Sequence, residues 1–195
     1  MPLQLKNSRT GWGAIAITLH WVITATVIGL FIFGLYMTGL TYYDPWYHKA
    51  PALHKSIGIA LLFLMALRLL WRLANPVPAP LATHSLLEQI AARVVHALLY
   101  LLLFVVMFSG YLIATADGRP VDVFGLFQLP TLITPIKHQE DIAGTLHLVF
   151  AITLITLVTL HALAALKHHF IDKDQTLLRM LGKRRSETEN QRRKP

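Results

Sequence analysis

Four long apolar runs separated by short polar stretches constrain this chain more than any other feature of its 195 residues. They cover about 14–40, 51–71, 90–116 and 142–167. Each is long enough to cross a hydrocarbon layer of about 30 Å as a helix, with tilt in the longer ones. Only 14% of the residues are charged, against roughly 25% in a soluble domain, and the deficit falls inside the four runs. The first run is too long for a signal-peptide core and is followed by three more, so it reads as a retained span. The expected fold is an all-α, integral-membrane four-helix up-and-down bundle formed by residues 1–181. Residues 182–195 are charged and poor in apolar side chains, and are expected to be a disordered tail.

Charge sets the orientation. Of 18 lysines and arginines, 14 lie in the N-terminal segment, around the second connection or towards the C-terminus; the exceptions are Lys49, Lys55, Arg119 and Lys137. Positive residues stay on the cytoplasmic side, so both termini are expected there. Residues 41–50 and 117–141 then face the periplasm of a Gram-negative cell. Tyr42, Tyr43, Trp46 and Tyr47 gather at the outer end of the first hairpin, with Trp12 and Trp71 at inner ends, as interface aromatics do. The net charge of +8 does not point to nucleic acid, because the basic residues sit at span ends and in the tail.

The chain has no cysteine. That excludes disulfides, iron–sulfur clusters and covalent haem attachment. It does have ten histidines, and five of them, His20, His54, His96, His147 and His161, fall within or at the edge of the spans. Ionisable side chains there are costly and are functional candidates. A lone histidine could simply bond across the bundle, so the five must be weighed together.

His147 and His161 are 14 residues apart on the fourth run. On a helix this puts them within about 40° of one face and about 21 Å apart along the axis. One helix thus offers two ligands, one towards each membrane surface, as two stacked b-type haems require. By depth, His20 matches His161 on the inner side and His54 matches His147 on the outer side. Two imidazoles saturate a haem iron and favour electron transfer over oxygen binding. His96 lies at the same inner depth as His20 and His161, and spacing does not choose among the three. Gly34 and Gly110 each lie 14 residues after a histidine, His20 and His96, at the depth of the other haem, where a missing side chain clears room for a macrocycle. Helix contact is the competing use of such glycines. Arg68, 14 residues after His54, is placed to meet a haem propionate or a quinone carbonyl, or else to snorkel to the interface.

The stretches Ile17–Trp21 (ITLHW), Ala52–Gly58 (ALHKSIG), Arg68–Arg72 (RLLWR) and above all His161–Met180 (HALAALKHHFIDKDQTLLRM) resemble the bacterial cytochrome b561 family. That family is related to the di-haem cytochrome b subunits of nickel hydrogenases and formate dehydrogenases. Tyr42–Pro51 (YYDPWYHKAP) and Thr115–Pro120 (TADGRP) look like its YceJ-type subgroup. The resemblance covers nearly all of the chain except the tail. It implies two haem b groups ligated from the first, second and fourth spans: His20 with His161 on the cytoplasmic side, His54 with His147 on the periplasmic side. It also implies membrane quinone, ubiquinone above all, as a redox partner. Some members resemble superoxide:ubiquinone oxidoreductases, and others relay electrons for a partner dehydrogenase.

His96, unclaimed by that ligand set, becomes a quinone-site candidate with Arg68, Arg72, Lys167 and His168, since a histidine can carry the protons of quinone chemistry. Lys49, Lys55, Arg119, Lys137 and His138 could draw superoxide to the outer face, but Asp44, Asp117, Asp122, Glu140 and Asp141 leave those loops slightly negative. His169, beside His168, suits a helix C-terminus. His48 and His84 are expected to be exposed loop residues. A histidine-based metal-ion transporter is disfavoured, because the apolar runs hold no carboxylate for a moving ion.

Overall fold

The computed structural model describes residues 4–183. Four helices, α1 (Ala14–Thr38), α2 (Lys49–Ala74), α3 (Leu86–Ala114) and α4 (Gln139–Phe170), are each long and apolar enough to cross a membrane. They pack in chain order, α1 on α2, α2 on α3 and α3 on α4, and α1 meets α4 only sparsely. This is the up-and-down bundle expected. Side chains such as Ile32, Phe63, Leu70, Phe108 and Ile152 are exposed on the outer faces of the helices, as a lipid-facing surface requires. The tail expected from residue 182 lies, from 184 onward, outside the described residues.

The helices overrun the apolar runs where polar residues suit a helix end. α3 starts four residues before the expected Ile90 because Ser85 and Glu88 form a capping box: Ser85 Oγ accepts from the Glu88 N–H at 3.3 Å, and Glu88 accepts from the Ser85 N–H at 2.9 Å. α4 takes in Glu140 and Asp141 in its first turn and Lys167, His168 and His169 in its last, signs that match the helix dipole at each end. α2 stops at Asn75, before the prolines at 76, 78 and 80, which cannot continue it.

Midway along the bundle, Ile23 and Val27 of α1, Leu61 and Met65 of α2, Met107 of α3 and Leu154 of α4 form the buried apolar core. It lies between the two histidine levels, since Leu154 is halfway from His147 to His161.

The all-helical expectation misses one element. Residues 121–123 (β1) and 127–129 (β2) form an antiparallel hairpin, turning through Phe124 and Gly125 at positive φ. Val121 and Val123 are buried on Ile59 and Tyr111, and Ser56 Oγ accepts from the Phe124 N–H at 3.1 Å. The Tyr111 hydroxyl donates to the Pro130 carbonyl and accepts from the Leu132 N–H, both at 2.7 Å. The long loop after α3 is therefore folded onto that end of the bundle. At the opposite end, α5 (Thr176–Met180) follows α4. Trp21 Nε1 donates to the Met180 carbonyl at 2.8 Å, which ties α5 back to α1.

Candidate haem sites

The five intramembrane histidines form two groups at opposite ends of α4. At the loop end, the rings of His54 and His147 lie 6.3 Å apart, centre to centre. At the terminal end, His20 and His161 lie 6.4 Å apart, and His96 lies 5.3 Å from His161. The first two pairs span helices that are not closely packed on each other, α2 with α4 and α1 with α4, whereas α3 packs tightly on α4.

The loop-end pair is shaped by its neighbours. His147 Nδ1 lies 2.9 Å from the Val106 carbonyl, which can only accept, so Nδ1 carries the proton and the lone pair is left on Nε2. Ser109 Oγ, 3.2 Å from the same nitrogen, donates its own proton to Val106 and serves Nδ1 as a second acceptor. A Cβ on Gly110 would stand 3.1 Å from His147 Cε1, and one on Gly34 would stand 3.4 Å from His54 Cε1. The two glycines thus lie against the imidazoles of the loop-end pair, at the level opposite to the histidines from which they were counted. Among the described residues, His54 Nδ1 is buried without a hydrogen-bond partner.

At the terminal end, Arg68 donates from Nε to the Tyr100 hydroxyl at 3.1 Å, and its Nη1 is buried without a partner among the described residues. The guanidinium groups of Arg68 and Arg72 lie 6.0 and 5.8 Å from the Tyr100 ring centre. Sequence reading passed over Tyr100; its signal was its place one helical turn after His96.

Lys167 and His168 turn elsewhere. Lys167 pairs with Asp172 at 2.6 Å and Glu88 at 3.3 Å. His168 pairs with Asp172 at 2.9 Å and Asp174 at 2.8 Å. His84 corrects the expectation of an exposed loop residue: its side chain is 17% exposed and meets Asp174 at 3.0 Å, a partner 90 positions away that no local pattern reveals. Burial opposes the charge on Asp174, but bonds from Thr176 and His84 outweigh it and hold the carboxyl below its usual range. His48, in contrast, is exposed as expected, at the start of α2.

The sequence pattern of the family described as prokaryotic cytochrome b561 matches residues 11–183. The chain belongs to that family. It is 49% identical to cytochrome b561 homolog 2 of Escherichia coli K12, over 95% of this chain and 98% of that protein. It is 35% identical to a Yersinia pestis protein named probable superoxide oxidase CybB, over 89% of this chain and 97% of that one. It is 32% identical to cytochrome b562 of Cereibacter sphaeroides, over 89% and 97%. As a b561-family protein with four spans, it is a multi-pass protein of the inner membrane and an electron-transport cytochrome with haem b as its cofactor.

The residues present fit such a group. With metal–imidazole bonds of about 2 Å on each side, and each ring centre about 1 Å behind its nitrogen, two axial imidazoles sit roughly 6 Å apart. The 6.3 and 6.4 Å pairs meet that spacing, and the 5.3 Å pair falls short of it. The glycines leave clearance beside His54 and His147, and the fixed tautomer of His147 leaves a nitrogen free to bind iron.

Proposed function

We propose that this b561-family protein binds two haem b groups and moves electrons across the inner membrane between membrane quinone and a periplasmic partner. The observation that carries this reading is the pair of nearly equal ring separations, 6.4 Å for His20 with His161 and 6.3 Å for His54 with His147, at opposite ends of one helix. Both termini are cytoplasmic in this proposal, on the strength of the 14 cations placed with them. His20 and His161 then hold the cytoplasmic-side haem, and His54 and His147 the periplasmic-side haem. Bound there, the haems supply one-electron chemistry at two depths of the bilayer.

The chain's own residues do the rest. The Val106 carbonyl orients His147 and raises its basicity through Nδ1. Arg68 offers the unpartnered Nη1 to a propionate or a quinone carbonyl. The mid-depth core from Ile23 to Leu154 keeps water out of the space between the two sites. His96, its ring 5.3 Å from that of His161, is the proton carrier of a quinone site with Arg68, Arg72 and Tyr100. Lys167 and His168, engaged by carboxylates, stand outside that site.

Haem content per chain tests the first part of the proposal. A His96→Ala protein tests the second: it keeps both haems and loses quinone turnover by at least about tenfold. Unchanged quinone kinetics would remove His96 from the site.

A second reading narrows the periplasmic partner to superoxide, as donor of electrons to quinone. It is supported by the 35% identity to a protein named probable superoxide oxidase. The slightly negative outer loops give superoxide no electrostatic help. Rapid reduction of the haems by generated superoxide, at a rate that falls with a superoxide-removing enzyme present, supports this reading. Failure of superoxide to reduce the haems would leave a partner dehydrogenase as the donor.

A further inference from the structure

Where the chain enters α3 and leaves α4, two histidines converge on one carboxylate oxygen. Asp174 Oδ2 is 3.0 Å from His84 Nε2 and 2.8 Å from His168 Nδ1. The two rings stand 4.8 Å apart. The side chain of Asp174 is only 5% exposed. Its other oxygen, Oδ1, accepts from the Thr176 N–H at 2.7 Å, which fixes the direction of the carboxylate. Asp172 adds an oxygen 2.9 Å from His168 Nδ1. Beside these groups lies a cavity of about 310 Å³ lined by Thr83, His84, Glu88, His168, Asp172 and Asp174.

We propose that His84, His168 and Asp174, with Asp172 at the edge, form a binding site for a divalent first-row metal ion of zinc's ligand preference, separate from the haem irons. The ligand atoms of His84, His168 and Asp174 all lie within 4.8 Å of one another. Ligand atoms around a tetrahedral zinc with bonds of about 2.0–2.1 Å are about 3.3 Å apart, so the 3.0 and 2.8 Å from Asp174 Oδ2 to His84 Nε2 and His168 Nδ1 need only a few tenths of an ångström of expansion to admit an ion. Two imidazoles and one or two carboxylates are a donor set that zinc and its neighbours accept. Charge agrees with the donor set. Glu88, Asp172 and Asp174 bring three carboxylates, and Lys167 compensates one of them through its bonds to Glu88 and Asp172. With neutral imidazoles, the remaining two negative charges match one divalent ion. The Thr176 N–H supplies the outer support that metal-binding carboxylates characteristically have.

A metal here links residues 83–85 to residues 168–174. It would clip the start of α3 to the end of α4 at the end of the bundle where α5 lies. The competing occupant is a proton, with the same residues forming a hydrogen-bonded network and no ion.

The test uses full-length, haem-loaded protein in detergent, purified without a polyhistidine tag and stripped with a chelator. Zinc ion alone is titrated against a chromophoric chelator. The proposal expects one zinc per chain, displaced by at least about tenfold in affinity in His84→Ala and in His168→Gln, and unchanged in His48→Ala, which alters an exposed histidine elsewhere. The haem spectrum of each variant reports that it has folded, and it stays that of the parent. If Asp174→Asn, the most buried change, loses its haem, the two histidine variants decide. Absence of stoichiometric zinc binding, or undiminished binding by folded His84→Ala and His168→Gln proteins, would overturn the site in favour of the proton-linked network.

Discussion

The Nδ1 proton of His147 is committed to the backbone carbonyl of Val106, 2.9 Å away on the neighbouring helix. Because a carbonyl has no proton to give, this bond selects one tautomer and leaves the lone pair on Nε2. Ser109 Oγ is a second acceptor at 3.2 Å. Removing it with Ser109→Ala leaves the carbonyl in place. The expected result is full haem content with a raised reduction potential for the periplasmic-side haem, since a weaker bond at Nδ1 makes the imidazole a poorer donor to iron. A redox titration of the variant beside the parent checks the sign.

Gly110 and Gly34 give a graded prediction. A methyl group at Gly110 would press on His147 at 3.1–3.3 Å, and one at Gly34 would reach His54 at an ordinary 3.4 Å. Gly110→Ala should therefore lower haem retention or shift the periplasmic-side haem clearly, and Gly34→Ala should do so weakly. Equal effects of the two changes, measured by haem content and redox titration, would show that clearance at the imidazole is not what these glycines provide.

Arg68 carries a charge into the terminal-end site, held through Nε by Tyr100 at 3.1 Å. Loss of a cation near an iron disfavours the reduced state. Arg68→Leu should lower the potential of the cytoplasmic-side haem and weaken quinone turnover, while the other haem keeps its potential. Tyr100→Phe, which removes only the hydroxyl, should move both in the same direction by less. Identical titration curves for parent and Arg68→Leu proteins would contradict the placement.

Tyr111 locks the loop that covers the other end. Tyr111→Phe removes both hydroxyl bonds, to Pro130 and from Leu132, and leaves polar groups of the loop to find other partners. A loss of about 1–3 kcal/mol in stability is expected, read as a lower thermal midpoint at unchanged haem spectrum. An unchanged midpoint would mean that these two hydroxyl bonds contribute nothing to holding the loop on α3.

The spans and the histidine levels were legible in the sequence for one physical reason. Apolar runs and a 14-residue helical spacing are local properties, and His147 and His161 lie on one helix. The helix ends were less legible because hydropathy stops where charge begins, while the capping box of Ser85 and Glu88 and the acidic first turn of α4 carry the helices further. The β1–β2 hairpin is not legible because Val121–Val123 and Phe127–Leu129 are too short to show alternation, and are held by Ser56 and Tyr111 from distant segments. His84 and Asp174 were not legible as partners for the same reason. Spacing left His96 level with His20, and the difference between 5.3 and 6.4 Å to His161 is a tertiary fact.

Haem per chain, measured as the pyridine haemochrome, decides whether two histidine pairs hold two haems. Two haem b per chain are expected in the parent and in His96→Ala, and one in His147→Ala, with the cytoplasmic-side haem retained. One haem in the parent, or two in His147→Ala, would contradict it.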